Sequence, residues 1–121
     1  MKKTSTTAPS LVETAHNAFR QKIHTINFDI APPSEEGGEY EYESMEIAPG
    51  RFNYDNIVAD LVRYKYPDDA MTATINNYLA DPDDETAEAE FRAMQAWRKS
   101  AKALAKKALA EDSGDAAQVA G

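Results

Sequence analysis

Apolar and polar positions change period several times along the chain. Leu11, Val12, Ala15, Phe19 and Ile23 recur at three- and four-residue intervals, and Ser10 with Glu13 supplies the S-x-x-E spacing of a capping box. This spacing predicts a helix over residues 11–23. Ile26, Phe28 and Ile30 then alternate with Asn27 and Asp29, the period of a half-buried strand, which stops at Pro32 and Pro33. Residues 32–38, PPSEEGG, combine missing donors, like charges and two glycines, the composition of an exposed loop. Tyr40 and Tyr42 alternate with Glu39, Glu41 and Glu43, predicting a second strand that pairs back as a hairpin. Met45 and Ile47 fall on the other parity, so either a bulge near Ser44 re-aims the chain or the segment is irregular.

The second half is helical in pattern. After Asn53, a capping residue type, Tyr54, Ile57, Val58, Leu61 and Val62 follow the spacing of one buried helix face, ending at Tyr66 and Pro67. Pro67, Asp68 and Asp69 open a second helix that carries Met71, Ile75, Tyr78 and Leu79 on one face. Asp81 ends it and is expected to cap a third helix over residues 82–110, built on Phe91, Met94, Trp97, Ala101, Leu104 and Ala108. Carboxylates at the start of that helix (Asp83, Asp84, Glu85) and cations toward its end (Arg98, Lys99, Lys102, Lys106, Lys107) complement the helix dipole.

Residues 1–9 and 111–121 have no apolar period, so a disordered arm and a disordered tail are expected to flank a single domain over 10–110. Within it, 10–50 forms a helix plus hairpin and 51–110 a helical unit. The predicted fold class is mainly α with a small β-hairpin, an α+β arrangement. A three-helix C-terminal unit, with Tyr54, Ile57, Leu61, Ile75, Leu79, Phe91, Met94, Trp97 and Leu104 as its core, has the N-terminal helix and hairpin packed on it.

Charge and composition narrow the function classes. Thirteen Lys and Arg against 21 Asp and Glu leave a net charge of −8, which repels phosphates and anionic lipid surfaces and counts against nucleic acid or membrane as a partner. Cysteine is absent, which removes disulfides, thiol nucleophiles and thiolate metal sites. Lys2 and Lys3 begin like a signal peptide, but residues 4–9 are polar where an apolar run is required, so no secretion signal is expected. No stretch approaches the roughly 18 apolar residues of a membrane span.

Chemistry-bearing patterns are sparse. His16 and His24 lie apart, without a metal-ligand spacing around them. Asp81, Asp83 and Glu85 imitate the first ligands of a calcium loop, but Thr86 and Arg92 occupy the positions that need glycine and a bidentate glutamate, and helix capping accounts for the carboxylates. Gly37 and Gly38 lack the frame of a phosphate loop, and no Ser, His and Asp spacing suggests a triad. No enzyme activity, cofactor, metal or small-molecule substrate is therefore expected.

Candidate interaction residues remain. Glu35, Glu36, Glu39, Glu41, Glu43 and Glu46 form an acidic run around Tyr40 and Tyr42, either a solvated hairpin edge or a docking face for a basic partner. Trp97 is either a core anchor or an exposed anchor for a partner helix. Ala101, Ala105 and Ala108 make the last helix turns small and smooth, suited to self-association.

The order Phe52-Asn53-Tyr54-Asp55-Asn56-Ile57-Val58, Leu61-Val62-Arg63-Tyr64-Lys65-Tyr66, Ile75-Asn76-Asn77-Tyr78-Leu79, Phe91, Gln95-Ala96-Trp97-Arg98 and Ala101-Lys102 resembles a helical C-terminal segment of uncharacterised phage and prophage tail-associated proteins. The similarity covers residues 52–110. It implies a non-enzymatic structural or assembly protein that acts through a protein partner or self-association, in the host cytoplasm or with the virion. The alternative is an acidic monomer that binds and blocks a basic, nucleic-acid-binding host protein.

Overall fold

Two strands rich in β-branched and aromatic residues pair at the centre of the N-terminal half, and the computed structural model builds outward from them. It describes residues 1–120, with side chains described through Asp112. The elements are β1 (Lys2–Ser5), β2 (Val12–His16), β3 (Lys22–Ala31), β4 (Tyr40–Ile47), α1 (Tyr54–Lys65), α2 (Asp68–Ala80) and α3 (Glu85–Ala120). The chain divides into two compact units: Met1–Asn53 with the chain from Lys107 onward, and Tyr54–Lys106.

The first unit holds a four-stranded antiparallel sheet in the order β1-β4-β3-β2. Three successive strands joined by hairpins, with β1 returning beside β4, make a Greek key. The helix predicted over 11–23 does not form, and the fold is a sheet plus three C-terminal helices rather than mainly α with one hairpin. Asn17 supplies the physical reason. Its Oδ1 accepts hydrogen bonds from the backbone N–H of Phe19 (2.9 Å) and of Gln21 (3.0 Å), a local turn that competes with helix. Val12, Thr14, Ile23 and Thr25 on either side are β-branched and favour strands. The capping box is not made, and the carbonyl of Ser10 instead accepts a bond from Asn27 Nδ2 at 2.7 Å.

The arm expected to be disordered over residues 1–9 contributes β1, which pairs with β4 in the register Lys2↔Glu43 and Thr4↔Glu41. An acidic strand with an open edge offers backbone groups and opposite charge together. Lys2 Nζ lies 3.6 Å from Glu41 Oε2.

The parity change in β4 also has a different cause from a bulge near Ser44. Ile26 faces Met45 and His24 faces Ile47 on one face of the sheet, while Asn27 faces Ser44 on the other. Ile26, Phe28, Met45, Ile47, Asn27 and Ser44 are all buried, so the centre of the sheet is covered on both sides. β1 and β2 lie on opposite edges, so residues 6–11 cross the sheet, and Asn27 bonds to that crossing. The register shift sits on β3 between Phe28 and Ala31, where Asp29 adopts a φ of 51°. It turns Ile30 out to partial exposure and ends the alternation that the sequence extended through that residue.

In the second unit α1, α2 and the stretch of α3 up to Lys106 form where the apolar spacing placed them. α3 begins at Glu85 rather than Pro82, because Asp84 is its cap: Asp84 Oδ1 accepts from the N–H groups of Thr86 (2.9 Å) and Ala87 (3.2 Å). Ile57, Leu61, Val62, Ala87, Met94, Trp97, Ala101 and Ala105 are buried. α2 buries no residue fully. Tyr78 on it stacks on Phe91 with centroids 4.4 Å apart, while Leu79, expected in the core, is 68% exposed. Of the tail expected to lack structure over 111–121, α3 carries the backbone through Ala120; the side chains of 113–120, and Gly121, lie outside the described residues.

Two sets of substitutions test this packing. Trp97→Ala should destabilise the chain by about 3–5 kcal/mol, and Trp97→Phe, which keeps most of the apolar area but loses the indole N–H, by about 1–2 kcal/mol. Asn27→Ala should cost about 1–3 kcal/mol by leaving the Ser10 carbonyl unpaired, whereas Ser44→Ala, which removes a buried hydroxyl with no hydrogen-bond partner, should change stability by less than about 1 kcal/mol. Urea denaturation reads both.

Candidate functional site

A turn joins β2 to β3, and the sequence makes it rigid. Besides the two bonds to its Oδ1, Asn17 accepts at its carbonyl from Arg20 N–H (3.0 Å) and donates from its own backbone N–H to the Gln21 carbonyl (3.0 Å). Asn17 Nδ2 donates to Gln21 Oε1 at 3.0 Å. Arg20 takes the left-handed conformation, φ 62°, that closes the turn.

At the apex of this frame Phe19 is 83% exposed. Burying a phenylalanine side chain contributes roughly 1.5–3 kcal/mol, a gain that the folded chain forgoes here. His16 and Lys22 pair across the mouth of the hairpin, with Arg20 beside the apex. Arg20 and Lys22 thus set two cations near an aromatic point on a chain of net charge −8, Lys22 lying also 4.0 Å from Asp112 Oδ1. Sequence reasoning placed Phe19 on a helix face and missed the site. The usable signal was Asn17, a turn-former between two stretches of β-branched residues.

The residues singled out from the sequence are dispersed. Tyr40 and Tyr42 are half-buried on the sheet face that carries Ser44, and Tyr42 pairs with Lys3 of β1. Glu41 is held by Lys2, so the acidic run is not wholly free. Trp97 is 7% exposed, donates from Nε1 to the Leu61 carbonyl at 2.9 Å, and has Lys65 Nζ 4.1 Å from its ring centroid. Its indole is a core anchor joining α3 to α1 and is not offered to a partner. Ala101, Ala105 and Ala108 are fully buried within the chain. Their small side chains therefore form no free surface for a second copy.

The surroundings of His24 displace its titration from that of a free imidazole. The residue is 9% exposed, stacks on Phe52 with centroids 3.6 Å apart, and places Nε2 3.4 Å from Asp112 Oδ1, within ion-pair range but outside hydrogen-bond geometry. Lys22 Nζ lies 4.0 Å from the same oxygen. Desolvation dominates and lowers the His24 pKa; Asp112 opposes the shift by charge, and Lys22 adds to it. Among the described residues no group of three His, Cys, Asp or Glu side chains is placed to hold a metal ion, and no helix is long and apolar enough to cross a membrane.

No protein family, curated protein or solved structure matches the chain.

The His24 environment sets a pH dependence. Because its folded pKa lies below the ordinary 6.5, the unfolded chain takes up the proton first, so stability is full above that value and falls as pH drops toward the folded pKa. Melting temperature should decline between about pH 7.5 and 5.5 more steeply in the wild type than in His24→Gln. Equal slopes would assign the decline to other groups.

Proposed function

We propose that the chain is a non-enzymatic phage or prophage assembly protein that works through protein–protein contacts, with the Phe19 turn as its docking point. The exposed ring on a rigid frame carries this reading. Aromatic residues dominate the few positions that supply most interface energy, and a point that is already ordered loses little conformational entropy on docking. Arg20 adds a local positive charge, with a smaller share from Lys22, which also lies 4.0 Å from Asp112 Oδ1, and this orients the tip toward an acidic surface and favours correctly directed encounter. The phage setting rests on the resemblance over residues 52–110. The alternative, an acidic blocker of a basic host protein, draws on the acidic run around Tyr40 and Tyr42, where Lys2 already neutralises Glu41.

The test places the photo-crosslinker p-benzoylphenylalanine at position 19, with the same probe at Lys99 as control, in cells that produce the protein. The expected result is one discrete protein adduct from position 19, absent from the control and lost when Arg20→Glu and Lys22→Glu reverse the charge of the tip. Phe19→Ser should leave folding stability within about 0.5 kcal/mol of wild type while removing the interaction. Adducts no more frequent than those from position 99, or adducts to lipid alone, would overturn the proposal.

A further inference from the structure

The helical unit contains a cleft of about 270 Å³ at the meeting of α1, α2 and α3. Val58 and Val62 of α1 and Met71 of α2 give it an apolar wall, and Arg98 and Lys102, one turn apart on α3, bring two cations to it. The other charges in the lining decide what those cations are free to do. Arg63 is committed, lying 3.8 Å from Asp60 Oδ1 and 3.8 Å from Asp68 Oδ1. Shared between two carboxylates, Arg63 offsets Asp68 only in part, so the lining sets three cations, Arg63, Arg98 and Lys102, against two carboxylates, Asp55 and Asp68, and keeps a local positive excess. Neither Arg98 nor Lys102 makes an ion pair or hydrogen bond within the described residues. An apolar wall beside an unpaired guanidinium and ammonium is chemically complementary to a molecule with an apolar stem and one terminal negative charge.

We propose that this cleft binds a small amphiphilic carboxylic acid, its stem against Val58, Val62 and Met71 and its carboxylate between Arg98 and Lys102. The volume lies just below the usual range for drug-sized ligands, about 300–1,000 Å³, and so fits a fragment-sized acid. Arg98 can present two parallel N–H donors to a carboxylate, and Lys102 adds a point charge on a flexible stem. Binding of this kind adds a ligand class that the sequence pattern did not suggest, because the cleft exists only once three separate helices are in place. It is independent of the Phe19 turn and survives or fails separately from it.

Titration of the full-length protein with 3-phenylpropionate, followed by backbone amide NMR, tests the inference. Saturable shifts are expected at residues 55–63, 68–71 and 98–102, with a dissociation constant of about 1 mM, the strength typical of a ligand this small. The neutral analogue 3-phenylpropanol should bind at least about fivefold more weakly, and an Arg98→Gln/Lys102→Gln double variant about tenfold more weakly, through loss of the charge-assisted bonds. Lys102 is exposed and Arg98 half-buried, and an unchanged melting temperature of the double variant shows that the helices remain folded. Absence of saturable shifts up to about 10 mM acid, equal binding of the alcohol, or unchanged affinity in the folded double variant would each overturn the proposal.

Discussion

The sheet unit depends on the pairing of β3 with β4. These two strands supply its buried apolar pairs, Ile26 with Met45 and His24 with Ile47, and they present buried polar residues, Asn27 and Ser44, on the opposite face. A sheet buried on one face tolerates no slip of one residue, since a slip moves every side chain to the wrong side. Here both faces are covered at the centre, so the register is constrained from both sides. The edge strands depend on this pair. β1 finds partners only along β4, and β2 only along β3, and the crossing between them is tied down by the bond from Asn27 to the Ser10 carbonyl.

The helical unit depends on a different contact of comparable specificity. Trp97 combines a large apolar surface with a single N–H donor, and both are satisfied at once by burial against α1 and the bond to the Leu61 carbonyl. An indole set this way fixes the rotation of α3 about its axis, because turning the helix breaks the hydrogen bond before it exposes the ring. α2 has no such fastening. Its contact through Tyr78 and Phe91 leaves Leu79 exposed and Met71 only half-buried, and a shallowly seated helix is what leaves space for a cleft beside Met71.

What the sequence reveals follows from how local the determining physics is. The three C-terminal helices were legible because their signals lie within a few residues: apolar spacing, the Pro and Asp starts, and cations toward the far end. The cap of α3 was misplaced by three residues, since Asp81, Asp83 and Asp84 are chemically equivalent until the turn at Pro82 assigns the role to Asp84. The N-terminal half was illegible for a non-local reason. The apolar residues of 11–23 fit a helix by spacing, and only the pairing partners of Val12–His16 and Lys22–Ala31 make strands the better solution. β1 shows the same effect in a stronger form, because a polar segment with no core of its own becomes ordered by an edge that lies some forty residues away.

The Phe19 turn differs from most of the other misread segments. In several of them the structure finds a use for residues that the local pattern misassigned: the Ser10 carbonyl accepts from Asn27, the parity change in β4 covers two faces, and Trp97 takes the core role that was one of its two options; Leu79, 68% exposed on α2, is the nearest parallel to Phe19. At Phe19 the backbone is held by five hydrogen bonds around Asn17, yet the side chain it carries is the most exposed large apolar group among those of the described residues. A turn needs asparagine and a left-handed residue, and it has both; it does not need phenylalanine at the apex. A polar residue there would serve the fold equally and would lower the risk of nonspecific association. The ring therefore answers to no demand of this fold, and that surplus is the physical ground on which the proposed docking role rests.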